Sequence, residues 1–178
     1  MNAGIISIVI RQPTHKSKRN EALLQDRVKK MGYSKEFHCD HCGYKRMILY
    51  ESGMSFPQTY QKVLSAVKSG EYGDEMKNTA DTTKGIAVDA EWDLFICSNC
   101  GTWKNDYRLT LFEPDDPAYA EKDYVMAYEI QINYHLKKRY FHKCPACGRR
   151  MHRFQKGDQP ICPICHQVGH IDPLGIWD

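Results

Sequence analysis

Eight cysteines, every one of them in a Cys-x-x-Cys pair, are the residues of this chain best placed to do chemistry: Cys39/Cys42, Cys97/Cys100, Cys144/Cys147 and Cys162/Cys165. A tight turn between two cysteines aims both sulfurs at one centre. Two such turns supply four thiolates in a tetrahedron, the donor set of a structural zinc ion. Four pairs with no cysteine left over exceed anything random placement gives, and they predict two metal sites. Gly43, Gly101 and Gly148 directly follow their pairs, where the turn needs a left-handed backbone that glycine adopts without penalty. The fourth pair has His166 there, one of the few other residue types enriched in that conformation. Pro145 and Pro163 fix φ inside the two C-terminal turns.

Spacing suggests which pairs share a metal. The short separation of the last two pairs matches a compact zinc site, so Cys144, Cys147, Cys162 and Cys165 are expected to form one site. Cys39, Cys42, Cys97 and Cys100 then form the other, closing over a long insertion. A cross-braced arrangement, first pair with third and second with fourth, is the alternative. Structural disulfides fit a reducing compartment poorly. Four thiolates can also hold iron, since tetrahedral sulfur geometry does not by itself separate the two metals. His38, His41, His142 and His166 lie near the pairs and are expected to pack beside them, not to bind metal. Sites already filled by four sulfurs leave no open coordination position, which argues for structural rather than catalytic metal.

The elements that must position these turns can be read in outline. Residues 11–20 are polar and basic, and Asn20 can cap a short helix over 21–30. Residues 47–50, Met-Ile-Leu-Tyr, read as a buried strand. Ser55, with Pro57 and Gln58, opens a helix whose Tyr60, Val63, Leu64 and Val67 form one apolar stripe and which Gly70 ends. The stretch 71–83 is polar, with one further helical turn. Segments 91–96 and 107–112 read as strands entering and leaving the second pair. Met126, Tyr128, Ile130, Ile132 and Tyr134 alternate with more polar residues and predict the clearest strand of the chain. Between the last two pairs there is room only for a hairpin turning at 156–158. Trp177 is expected to pack back onto the body.

The resulting fold class is α+β, with small antiparallel sheets and a helical insertion. Its expected divisions are a basic N-terminal arm at 1–35, a first metal unit with insertion and following strands at 36–135, and a second compact unit at 136–178. Charge follows a similar division. The 178-residue chain carries 25 Lys/Arg against 22 Asp/Glu, yet residues 1–31 and 136–178 each have a net charge of +5 and residues 32–135 a net −7. An acidic centre argues against nucleic acid wrapping the whole surface. No apolar run approaches the ~20 residues of a membrane span. The run at 5–10 lacks the charged start and small-residue cleavage site of a signal peptide. The expectation is a cytoplasmic protein without a membrane partner.

Paired Cys-x-x-Cys-Gly turns flanked by strands resemble the zinc ribbon, a small antiparallel unit. Cys39, Cys42, Cys97 and Cys100 match the ligands of one ribbon and Cys144, Cys147, Cys162 and Cys165 those of a second. The run 39–44, with 53–57, Tyr60 and 70–73, is also similar to uncharacterised bacterial proteins carrying two ribbons. The resemblance implies two Zn²⁺ per chain and brings no catalytic residue. The knuckle also resembles that of rubredoxin, which implies iron and electron transfer as the alternative function. Glu51, Glu71, Asp74, Glu75, Asp89, Glu91 and Asp93 show no spacing that marks an acid–base pair, and no phosphate loop or nucleophile motif appears. The expectation is therefore a non-enzymatic binding module for a macromolecule, protein or nucleic acid. Arg149, Arg150, Arg153 and Lys156, with Tyr140 and Phe154 as stacking surfaces, are the candidate contacts.

Overall fold

The computed structural model describes residues 32–53 and 55–177. Of the arm expected over 1–35, residues 1–31 with the short helix lie outside the described residues, and Tyr33–Lys35 are corrected to part of a strand, paired on both sides. The elements in chain order are β1 (Tyr33–His38), β2 (Lys45–Tyr50), α1 (Phe56–Ser69), α2 (Asp74–Thr82), β3 (Ala87–Val88), β4 (Trp92–Ile96) and β5 (Trp103–Tyr107). There follow β6 (Leu111–Pro114), a 3-10 turn (Pro117–Glu121), α3 (Ala127–Asn133), β7 (Tyr134–Lys138), β8 (His152–Arg153) and β9 (His170–Ile176). The strands form three small antiparallel sheets, ordered β2-β1-β9, β3-β6-β7 and β5-β4-β8. The class is α+β.

Helix α1 follows its sequence closely. Phe56, Tyr60, Val63 and Val67 are its buried residues, Pro57 stands in the first turn, and Gly70 caps the end at φ +91°. Ser55 makes no side-chain capping bond, so the expected Ser55–Gln58 box does not form. The α1 stripe meets Met76 and Ala80 of α2, Val88 of β3 and Leu111 of β6 in the largest apolar cluster. Two smaller clusters lie under the cysteine turns. One includes Phe37, Ile48, Leu94 and Trp103 with Cys39 and Cys162; the other joins Phe95 and Met151 to Cys97 and Cys144.

Two local readings are corrected. The segment expected as the clearest strand is α3, and only its end continues into β7. Periods of 2 and 3.6 nearly coincide every fourth residue, so Met126, Ile130 and Tyr134 satisfy both patterns. The tie is broken by a local bond, Glu129 accepting from the Met126 amide at 3.0 Å, and Ile132 is left exposed. The strand expected over 107–112 is interrupted. Leu109 takes φ +63°, donates its amide to Asp89 O at 2.8 Å and divides β5 from β6.

The expected independent unit at 136–178 is corrected as well. Its boundary falls inside β7, and the segment does not close on itself: β8 joins β4, and β9 joins β1 along its length from His38↔His170 to Tyr33↔Ile176. The expected 156–158 turn exists, with Asp158 N donating to Gln155 O, but it leads out of β8 instead of closing a hairpin. Trp177 packs as anticipated. Its Nε1 donates to Tyr50 O at 2.9 Å, and its ring fills the space where a Cβ on Gly32 would stand, 2.8 Å away.

Candidate metal centres

All four cysteine pairs build the same turn. In each, the first cysteine's amide donates to the carbonyl of the residue two past the second cysteine: Cys39 N to Tyr44 O, Cys97 N to Thr102 O, Cys144 N to Arg149 O and Cys162 N to Gln167 O, all 2.8–3.0 Å. The residue after the second cysteine donates back to the first cysteine's carbonyl at 2.8–3.0 Å. That residue is left-handed every time, with φ +75° at Gly43, +65° at Gly101, +70° at Gly148 and +60° at His166. The left-handed histidine read from the sequence is thus present.

The turns converge in two sets, Cys39, Cys42, Cys162 and Cys165 in one and Cys97, Cys100, Cys144 and Cys147 in the other, with the four sulfurs of each within 4.8 Å of one another. This corrects the assignment by spacing and also differs from the cross-braced alternative. The pairing is nested, first with fourth and second with third. Sheet pairing is the cause. The first pair follows β1 and the fourth precedes β9, so the β1–β9 ladder carries them together; β4 and β8 do the same for the second and third. The outer site closes across 120 sequence positions and the inner across 44.

Both sets fit a tetrahedral cation. Sulfurs bound to zinc at 2.3 Å stand about 3.8 Å apart along a tetrahedron edge. The measured contacts are 3.4 Å (Cys39–Cys165), 3.6 Å (Cys42–Cys162), 3.5 Å (Cys97–Cys147) and 3.6 Å (Cys100–Cys144). All eight cysteines are free thiols. Hydrogen bonds from the Thr102 hydroxyl and amide bring Cys100 down to about 6. At Cys162, burial works upward but is outweighed by the amides of Cys165 and Ile164, which bring it to about 7. Within the same clusters Cys147 is pushed up to about 11 and Cys165 to about 12, burial and then the neighbouring thiols overriding the backbone amides of Arg149 and Gln167. Sulfurs this close cannot all carry charge unless a cation sits among them.

None of the nearby histidines enters either set. His38 pairs with Asp172 at 3.2 Å and Asp40 at 3.4 Å. His142 is buried, and its Nε2 donates to Tyr107 O at 2.9 Å; burial holds it near 4, in the neutral form.

Gly101 does more than turn the chain. A Cβ there would lie 2.2 Å from Ile161 Cγ1, and Gly101 O accepts from Ile161 N at 3.0 Å. The Cys97–Cys100 turn of the inner site is thereby pressed against the residue that precedes Cys162 of the outer site.

Four acidic residues of the central region converge in a way no sequence spacing announced. Arg108, which precedes the left-handed Leu109, meets Glu51 at 3.2 Å, Asp89 at 3.9 Å, Asp93 at 3.0 Å and Glu91 at close range. Burial raises Glu91 to about 8 and raises Asp89, against the pull of Arg108. Arg153 adds a second cation on Asp93. The signal that could have found this hub was the single arginine between two strands facing an alternating Asp-x-Glu-x-Asp run at 89–93.

Of the contacts expected on the basic segment, Arg149, Arg150 and Lys156 are exposed, and Arg153 is held by Asp93. Tyr140 and Phe154 are not free platforms: Tyr140 packs edge-on against Tyr72, and Phe154 against the Trp103 cluster. The exposed ring is Phe141, overlooked in the sequence, with the Arg150 guanidinium 3.2 Å above its centroid. No described helix is long and apolar enough to cross a membrane. Comparison with family models, curated proteins and solved structures finds no match for this chain. The geometry alone carries the functional reading.

Proposed function

We propose that this chain is a non-enzymatic binding module held in shape by two structural zinc ions, with knuckles of the zinc-ribbon kind. The observation that supports it is the pair of four-sulfur sets, each set at the point where a distant strand joins a sheet. Cys39, Cys42, Cys162 and Cys165 would hold one ion, and Cys97, Cys100, Cys144 and Cys147 the other. Four protein ligands leave no position for a substrate or water, so each ion supplies cross-linking and charge neutralisation, not Lewis-acid catalysis. The residues around the sites agree with that role. They close turns, bury aliphatic and aromatic side chains, and leave the basic stretch 139–156 presented beside the inner site.

Protein purified without chelator is expected to carry two zinc ions per chain by native mass spectrometry with elemental analysis. Metal-free protein that unfolds cooperatively with all eight thiols reduced overturns the reading. A red, iron-loaded protein would transfer it to electron transfer.

A further inference from the structure

The cations of the described residues fall into two groups. Most outside 139–156 sit on a carboxylate, as Lys45 does on Glu36, Lys77 on Asp81 and Lys137 on Glu113. Within that stretch Arg139, Lys143, Arg149, Arg150 and Lys156 have no carboxylate at ion-pair distance among the described residues. Three features coincide with this uncompensated charge. A recess of about 540 Å³ opens between β6, β7 and β8, and both Arg139 and Arg150 line it. Buried Phe95 and Met151 and half-buried Phe112 give it an apolar floor. At its mouth stands Phe141, 44% exposed, with Arg150 stacked on it. Asp89 also lines the recess, with the Arg108 guanidinium 3.9 Å away.

We infer that this recess binds single-stranded nucleic acid, an inference that rests on the binding-module reading above and names its partner. Phosphates lie against the unpaired arginines and lysines, and one unstacked base lies on the Phe141–Arg150 pair over the apolar floor. Single strands are held by this combination of a positive track and aromatic or guanidinium planes, since every base offers a π face. A duplex keeps its base faces stacked and is read by an element entering a groove. None of α1, α2 or α3 lines the recess; its cations stand on loops and on two-residue β8. An acidic polypeptide could answer the charge, but it leaves the exposed ring and the apolar floor unused. The inner metal site also bears on the recess, since Phe95 and Met151 pack in one cluster with Cys97 and Cys144.

The test is fluorescence anisotropy of the full metal-loaded chain with a labelled oligothymidine, a hairpin duplex of equal length, and heparin and polyglutamate as competitors. The oligothymidine is expected to bind most tightly, with log K falling linearly in log salt by about 0.7 for each phosphate neutralised. Phe141→Ala is expected to weaken binding roughly ten-fold or more at unchanged salt slope, from the loss of one stacked base. Phe141→Trp keeps it, and Arg150→Gln lowers the slope by about 0.7. Lys62→Glu with Lys68→Glu, two exposed cations of α1 away from the recess, leaves binding unchanged. Equal binding of duplex, or competition by polyglutamate or heparin with no effect of Phe141→Ala, overturns the proposal in favour of a merely cationic face. No binding at low salt by protein retaining both metals overturns the partner while leaving the module reading intact. Absence of metal in folded protein overturns the module reading instead.

Discussion

The helical side of the molecule and its cysteine end solve the same problem with different means. On the helical side, α1 and α2 press Tyr60, Val63, Val67, Met76 and Ala80 against β3 and β6, and the cluster contains no cysteine. Burial of apolar surface suffices there, at roughly 25 cal/mol per Å² removed from water. At the cysteine end, each apolar cluster is smaller and includes two buried cysteines of one four-sulfur set, Cys39 and Cys162 in one and Cys97 and Cys144 in the other. The strands that meet there, β8 with β4 and β9 with β1, are contributed by a C-terminal segment with little apolar content. A small unit of that kind needs a staple. The contrast teaches that, among the described residues, four-sulfur sets stand in for core where late strands must be recruited to early ones.

Removing metal should break the comparison most visibly. A structural zinc supplies ~10–16 kcal/mol of apparent binding free energy at neutral pH, comparable with the entire stability of a domain. Chelation is expected to strip hydrogen-exchange protection from β1, β4, β8 and β9 while amides of α1 around Val63 and Val67 keep most of theirs. Simultaneous loss in both regions would show that the helical side has no stability of its own.

The next largest effect concerns the seam between the regions. Arg108→Met leaves Asp89 and Glu91 without the cation they share, while Asp93 keeps Arg153, and removing one partner of a buried charge set costs about 3–5 kcal/mol. Urea denaturation should show that loss with both metals still bound. A variant as stable as the parent would mean that water or protons neutralise the hub instead.

A pair of glycines sharpens the contrast within the metal end. Gly101→Ala and Gly148→Ala both place a Cβ on left-handed backbone, worth roughly 1–2 kcal/mol. Nothing stands within 4 Å of a Cβ at Gly148, whereas Ile161 blocks the one at Gly101. Overpacking adds about 1–3 kcal/mol at Gly101 only. Gly101→Ala should therefore lower zinc affinity at both sites in a competition titration, and Gly148→Ala at the inner site alone.

The last expected effect is a slope. Burial raises Glu91 to about 8, with Glu51 and Asp89 adding to the rise and Arg108 opposing it. The folded protein then keeps a proton that the unfolded chain has released above its ordinary 4.5. This stabilisation is complete below that value and is lost as pH rises through the interval to about 8. Glu91→Gln, neutral throughout, should remove a dependence of at most about 1.4 kcal/mol per pH unit. Urea midpoints of variant and parent from mildly acidic pH up through about 8 would measure it, and parallel curves would count against a protonated Glu91.

The knuckles, α1 and the anchoring of Trp177 were legible in the sequence because each depends on neighbours in the chain. Cys-x-x-Cys followed by glycine dictates its own turn, and the Tyr60–Val67 stripe needs only a core to face. Segment 126–134 misled because its apolar positions satisfy strand and helix together, and the Glu129 capping bond that decides between them is weak evidence in a linear reading. The Arg108 hub and the recess at Phe141 were hidden for a different reason: their members come from four or five separate elements.

By itself the sequence determined that eight thiols form four identical turns, that these turns make two sulfur sites, and that the mixture of helix and short strand would surround them. It could not determine which turns meet. A knuckle presents two sulfurs identically whichever partner arrives, so local chemistry is indifferent to the choice. Only the β1–β9 and β4–β8 ladders, each a row of backbone bonds between remote segments, fixed the nested pairing, and with it the face on which the unpaired arginines gather.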